Sequence, residues 1–234
     1  MAEEPTSKEN LPPGAEIDPD GLWSQVLNRA QGATRRAALF LDRDGVVVED
    51  VHYLHRPEDV SLIDGACAVI AEANRRAIPV VMVTNQAGIA HGHYGWAEFI
   101  QVQEKILDDL AAEGAFVNGV FACPHHDGGR APYDVENHPW RKPNPGMLLA
   151  AAERLPLDLG QSWIIGDRAG DLEAGKNAAL AGGLHVLSGH GADGGERDSA
   201  LALAGSRFQT LLAPTIAGAI FQLPLFQSVV DGAP

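Results

Sequence analysis

The sequence predicts an α/β protein built in three layers, a Rossmann-like parallel sheet with helices on both faces. Three observations carry this expectation. Short, largely apolar runs recur at 39–41, 79–83, 117–122, 162–165 and 184–187, broken only by Asn118, Gly119, Ser162 and His185, each the length of a buried strand. Longer segments with apolar residues at helical spacing lie between them. Strands buried on both faces read as continuous apolar runs, which is the pattern of a parallel sheet, and alternation of strand and helix is how such sheets are wound. Several of the runs also end in polar residues, at the rim where open parallel sheets bind ligands.

The first strand, Leu39–Leu41, ends in Asp42-Arg43-Asp44-Gly45. Ala66 to Ala77 has the spacing of a helix with Val69, Ile70 and Ala73 on its inner face. The second strand runs into Thr84-Asn85. Ile89 to Gly95 reads as a loop, and Trp96 to Gly114 as a strong helix with Phe99, Val102, Ile106 and Leu110 aligned. After the third strand a polar loop spans Cys123 to Arg141. Lys142-Pro143-Asn144-Pro145 opens a further helix, proline being favoured in a first turn. The fourth strand ends in Asp167 and the fifth is Leu184–Leu187. Val46–Val48 reads as a small flap, and Gly189 to Gly195 as a flexible segment. Before all this, Leu22, Trp23, Val26 and Leu27 have the spacing of a short amphipathic helix within a loosely docked arm. The expected organisation is an N-terminal extension (1–36), one catalytic domain (37–222) and a C-terminal tail (223–234).

With 234 residues and 45% hydrophobic content, one well-formed core is expected. No apolar run reaches the roughly 18 residues of a membrane span. Met1–Asn10 is acidic and polar, unlike a signal peptide. Cys67 and Cys123 make no disulfide framework, so a cytoplasmic home is expected. The formal charge of −14 argues against a nucleic-acid partner, which needs clustered Lys and Arg. A small phosphorylated substrate remains compatible, because salt screens a distant field beyond about 10 Å. A monomer or small homo-oligomer is expected.

Alternation along a strand puts Asp42 and Asp44 on one face, and Gly45 permits a sharp turn after them. Taken alone this is an ordinary acidic turn. Parallel strands, however, deliver Thr84, Asn85, Lys142 and Asp167 to the same rim. A divalent cation held by Asp42 and Asp167 would offset the repulsion between a carboxylate and a phosphate monoester, and magnesium suits oxygen-only ligands. Lys142 would add a second positive charge, and Thr84 a hydroxyl donor. Asp42 can then attack phosphorus and form an aspartyl-phosphate. Asp44 would protonate the leaving alkoxide and later take a proton from water. The plainer alternatives are a surface lysine at a helix start for Lys142, a helix N-cap for Asp171, and loop histidines for His91 and His93.

The segments D-R-D-G-V, T-N-Q-A-G-I-A, R-K-P-N-P-G-M-L and G-D-R-x-x-D, in this order, resemble the haloacid dehalogenase (HAD) superfamily of phosphohydrolases. Within it they are most similar to the branch of heptose-bisphosphate and histidinol phosphatases. The resemblance spans about Ala37 to Leu187. It implies a HAD-like fold, Asp42 as nucleophile and Asp44 as general acid/base. Thr84 and Lys142 would bind phosphate, and Asn85 and Arg141 would contact substrate. Magnesium would sit on Asp42, Asp167 and the backbone carbonyl of Asp44, with Asp171 supporting. Relatives of this branch fold the loop before R-K-P around zinc. Here Cys123 and His125 keep the first half of that pattern and His138 part of the second, but Trp140 stands where a cysteine would, so a zinc site is an open expectation. Segments between the motifs are too short for a large cap domain. The activity implied is a Mg2+-dependent phosphatase for a small phosphorylated metabolite such as D-glycero-D-manno-heptose 1,7-bisphosphate. The alternatives are a histidinol-phosphatase or other small phosphomonoesterase, a phosphotransferase, and a non-catalytic binding module.

Overall fold

The computed structural model describes residues 11–27 and 34–227. The acidic Met1–Asn10 stretch, residues 28–33 and the last part of the tail lie outside the described residues. Eight strands form one sheet in the order β1-β2-β5-β4-β3-β6-β7-β8. They are β1 (Ala15–Ile17), β2 (Trp23–Val26), β3 (Leu39–Leu41), β4 (Val80–Asn85), β5 (Gly119–Cys123), β6 (Trp163–Gly166), β7 (Gly182–Val186) and β8 (Gln209–Ala213). The six strands from β5 to β8 run parallel, with β3 central and Leu39 facing both Val80 and Trp163.

Side-chain alternation along the strands divides the core in two. Leu39 and Leu41 face a cluster shared with α1 (Ala66–Arg75) and α3 (Trp96–Ala112), which supply Val69, Ile70, Phe99 and Ile106. Phe40, Val81 and Val83 face the other cluster, with Met147 and Leu148 of α4 (Gly146–Arg154) and Leu172 of α5 (Ala169–Asn177). Three layers follow directly. Between β3 and α1 the described chain carries only the 3-10 turn Pro57–Asp59, and between β5 and α4 neither helix nor strand, so no cap domain is present there.

The structure departs from the sequence expectation at several places. Leu22, Trp23, Val26 and Leu27 make no helix: β2 pairs antiparallel with both β1 and β5. Four residues are too few for helical burial to win, whereas β5 offers an open edge of backbone donors and acceptors, and Trp23 buries completely in stacking on Trp96 at 5.7 Å. The sheet is therefore mixed, and the presumed extension is part of it. At the other end Leu223 and Phe226 are buried in the core, so the boundary after 222 does not separate a tail. Val46–Val48 is no flap; all three side chains are fully buried. A short helix, α2 (Ala87–His91), occupies the start of the expected loop. The helix expected from Lys142 starts only at Gly146, with Pro145 as its N-cap. The remaining helices are α6 (Glu196–Ala202) and α7 (Ala219–Gln222).

Candidate active site

Three strand ends meet at one rim. Asp42 follows β3, Thr84 and Asn85 close β4, and Asp167 follows β6. Lys142 reaches the same place from the turn before α4. All of these, with Asp44, Arg141 and Asp171, line one cavity of about 400 Å³. Carboxylate oxygens of Asp42, Asp167 and Asp171 lie within 4.8 Å of one another. Lys142 Nζ donates to Asp42 Oδ1 at 2.8 Å, to Asp171 Oδ1 at 2.7 Å and to the Val83 carbonyl at 2.8 Å. All three ammonium protons are thereby used, which is how a lysine can be buried here.

The other contacts fix each group. Arg43 N donates to Asp42 Oδ1 at 2.8 Å. Asp171 is not the N-cap of α5, which is Arg168, but stands at the third helical position, where its Oδ2 accepts from Arg168 N at 3.0 Å while its Oδ1 belongs to the acidic cup. Asn85 and the Lys142 backbone exchange two 3.1 Å hydrogen bonds, which anchor the lysine, and Arg141 Nη1 donates to the His125 carbonyl at 3.0 Å. Asp167 Oδ2 accepts from His190 N at 2.7 Å, whereas its buried Oδ1 has no hydrogen-bond partner. Gly45 and Gly189 close over this carboxylate, both at positive φ; a Cβ on Gly189 would stand 2.3 Å from Asp167 Oδ2.

Charge in the cup is unbalanced, with three acids against one lysine. Burial holds the Asp42 carboxyl well above its ordinary range, against the pull of Lys142 and helped by Asp171 and Asp167. Burial, with Asp171 beside it, pushes Asp167 up to about 7. For Lys142 burial disfavours the charge, but Asp171 and Asp42 outweigh it and the amine is held above its usual value. A clustered, desolvated set of oxygens with one buried oxygen unpartnered fits a divalent cation, and the all-carboxylate chemistry fits magnesium. The Asp44 carboxylate is not in this cluster. It points instead to Arg43 and Gln86.

The zinc expectation meets a different geometry. Among the described residues the Asp42, Asp167 and Asp171 group is the one set of three ligand atoms close enough for a shared ion, so Cys123, His125 and His138 are not gathered. Cys123 Sγ lies 3.9 Å from His138 Nδ1, but His138 Nδ1 also accepts from Trp140 N at 3.2 Å. His125 stacks flat on His138 at 4.1 Å and hands its Nε2 to the Asp20 carbonyl at 2.8 Å. Parallel rings send their in-plane lone pairs side by side, not to a common point. Burial also pushes the Cys123 thiol up to about 12. Packing and the N-terminal segment hold this loop.

Sequence reasoning missed Arg43, Gln86, Tyr94 and His190. Arg43 was visible as a charge on a segment otherwise buried, a position that obliges a partner. His190 left no such signal, because its link to Asp167 is through the backbone. The segment after Gly189 is tied down by that bond, by Ser188 Oγ donating to the Gly45 carbonyl at 2.6 Å, and by the His190 ring between Asp50 and Asp193. His52 and Tyr53, at the cavity mouth, both have positive φ, of 54° and 64°.

A central parallel strand ending in D-x-D, with a lysine and two further acids on the same rim, is the arrangement of a HAD-like hydrolase. The family model described as HAD-hydrolase-like matches residues 139–205. A D-glycero-beta-D-manno-heptose-1,7-bisphosphate 7-phosphatase of Mesorhizobium japonicum is 46% identical over 166 residues, covering 71% of this chain and 76% of that protein. A D-glycero-alpha-D-manno-heptose-1,7-bisphosphate 7-phosphatase of Burkholderia mallei is 40% identical over 147 residues, covering 62% and 77%. Among solved structures, a D,D-heptose 1,7-bisphosphate phosphatase of B. bronchiseptica, complexed with magnesium and phosphate, superimposes with a TM-score of 0.67 at 30% identity, covering 80% of this chain and 98% of that one. The chain belongs to the HAD-like phosphatase family, in the branch that contains these heptose-bisphosphate phosphatases.

Proposed function

We propose that the chain hydrolyses a phosphate monoester of a small sugar through an aspartyl-phosphate on Asp42, with D-glycero-D-manno-heptose 1,7-bisphosphate as the leading candidate substrate. The observation that carries this is the cup of Asp42, Asp167 and Asp171 oxygens within 4.8 Å, with Lys142 in its floor. Asp42 and Asp167 would hold Mg2+, with the Asp44 carbonyl as a further ligand and Asp171 supporting. The ion would supply positive charge to offset the phosphate and the developing transition state. Lys142 would turn one of its protons from the carboxylates of the cup to a phosphoryl oxygen, and the Thr84 hydroxyl would donate to another. An Asp42 oxygen forms a bond to phosphorus as the bond to the leaving oxygen breaks, and Asp44 gives that oxygen a proton. Asp44 then takes a proton from water, whose oxygen attacks phosphorus and frees Asp42 and inorganic phosphate. Asn85 positions Lys142, and Arg141 at the mouth contacts the sugar or a second phosphate.

Every one of these groups belongs to this chain, so the proposed chemistry needs no residue of a second copy, whether the protein works as a monomer or a small homo-oligomer. Among the described residues no helix is long and apolar enough to cross a membrane. Both cysteines are free, which supports a reducing, cytoplasmic setting. Relatives acting on either anomer of the heptose bisphosphate are similar to this chain, so the test is a substrate panel. Both anomers, histidinol phosphate and common sugar phosphates are assayed with Mg2+ and with EDTA. One heptose bisphosphate is expected to exceed the rest by at least about tenfold in kcat/KM, with EDTA abolishing turnover. Equal, low rates on all would refute the substrate assignment.

A further inference from the structure

Arg43 stands between the two reacting aspartates, yet its side chain is only 1% exposed. Its guanidinium lies 5.6 Å from the centre of the Phe99 ring. Nε donates to Asp44 Oδ2 at 3.1 Å and Nη2 to Asp44 Oδ1 at 3.0 Å, a two-point grip on the carboxylate. Nη2 also reaches Gln86 Oε1 at 3.2 Å. Gln86 in turn spends its whole amide. Nε2 donates to Asp44 Oδ2 at 3.2 Å and to Thr84 Oγ1 at 2.8 Å, and Oε1 takes the Tyr94 hydroxyl at 2.6 Å. A fully buried arginine whose carboxylate partner is 24% exposed gains little net stability over apolar residues of the same size. Its presence beneath the cavity therefore calls for another explanation.

We infer that Arg43 and Gln86 are positioning residues for the phosphoryl transfer, Arg43 fixing the Asp44 carboxyl at the leaving oxygen and Gln86 aligning both Asp44 and the Thr84 hydroxyl. This rests on the assignment of Asp44 as acid and base. The grip on both carboxylate oxygens leaves Asp44 one orientation. Because Thr84 Oγ1 accepts from Gln86, its own hydrogen is free to point at a phosphoryl oxygen. Tyr94 stacks on His55 with ring centres 5.9 Å apart, so the same network is braced against the loop at the cavity mouth.

The test compares leaving groups. Nitrophenolate departs without a proton, whereas a sugar alkoxide needs one, and kcat/KM reports only the steps up to transfer of phosphorus to Asp42. In Arg43→Met, kcat/KM for a sugar phosphate is expected to fall about tenfold or more further than for p-nitrophenyl phosphate. Arg43→Lys, which keeps one contact, should show a smaller gap. If Arg43→Met does not fold, Gln86→Leu carries the same comparison. Equal losses on the two substrates, or no loss, would overturn the inference. Asp44→Asn is run in parallel. A gap there with none in the Arg43 or Gln86 variants defeats only the positioning role. No gap in Asp44→Asn defeats the acid assignment, and the inference with it.

Discussion

Lys142 shows how one side chain settles the electrostatics of the cup. It touches two carboxylates and a carbonyl. Removing one partner of a buried ion pair leaves its counter-charges stranded, at a cost of about 3 kcal/mol or more. Lys142→Met should therefore lower stability by about that amount and reduce turnover by at least about a hundredfold. Denaturant unfolding and steady-state kinetics with Mg2+ check both. Added Mg2+ should recover part of the stability, because the ion and the ammonium answer the same excess of negative charge. Asp42 and Asp167 were legible in the sequence because strand ends in a parallel sheet have few places to go, and Lys142 through its place in R-K-P-N-P. Arg43 and Gln86 were not, because neither their burial nor the Asp44 carboxylate's turn toward them follows from spacing.

At the scale of elements, β2 is the largest departure from the sequence pattern and the most consequential. Its apolar residues fit a helical wheel, but the open edge of β5 decides the outcome. Ser24 and Gln25 are buried along with Trp23, which no amphipathic-helix reading anticipates. Trp23 packs against Trp96 at 5.7 Å and Phe99 at 5.4 Å, joining the N-terminal strand to α3. Phe99 lies in turn over the Arg43 guanidinium. Trp23→Ala is expected to destabilise by about 3–5 kcal/mol, read as a fall in the thermal midpoint. A fall of under 1 kcal/mol would mean that the strand is an appendage. The central strands were legible because a continuous apolar run bounded by polar ends has one common fate. The N-terminal strand was not, because its partner lies about a hundred residues away in sequence and edge pairing carries no period of its own.

For the whole molecule, the charge of −14 and the acidic cup pull in one direction. The Asp167 carboxyl is pushed up to about 7 by burial and by Asp171 when no cation is bound. A raised carboxyl favours the folded state in its protonated form, so this contribution to stability is present below the ordinary carboxylate range and is lost as pH rises through about 7. Mg2+ must displace that proton, so its apparent affinity should rise with pH, by up to about tenfold per unit below the midpoint, and level off above it. Calorimetric titration with Mg2+ between pH 5.5 and 8.5 measures this directly. The stabilisation by Mg2+ should be larger at pH 8 than at pH 6, and the opposite order would contradict the assignment of Asp167 as a ligand.

Most direct of all is the turnover of Asp42→Asn with Mg2+ present. The substitution keeps the shape of the side chain and replaces the carboxylate nucleophile with a neutral amide. Activity should fall by at least about a thousandfold, while cooperative unfolding is kept. Retention of a tenth or more of the original rate in a folded Asp42→Asn protein would contradict the account.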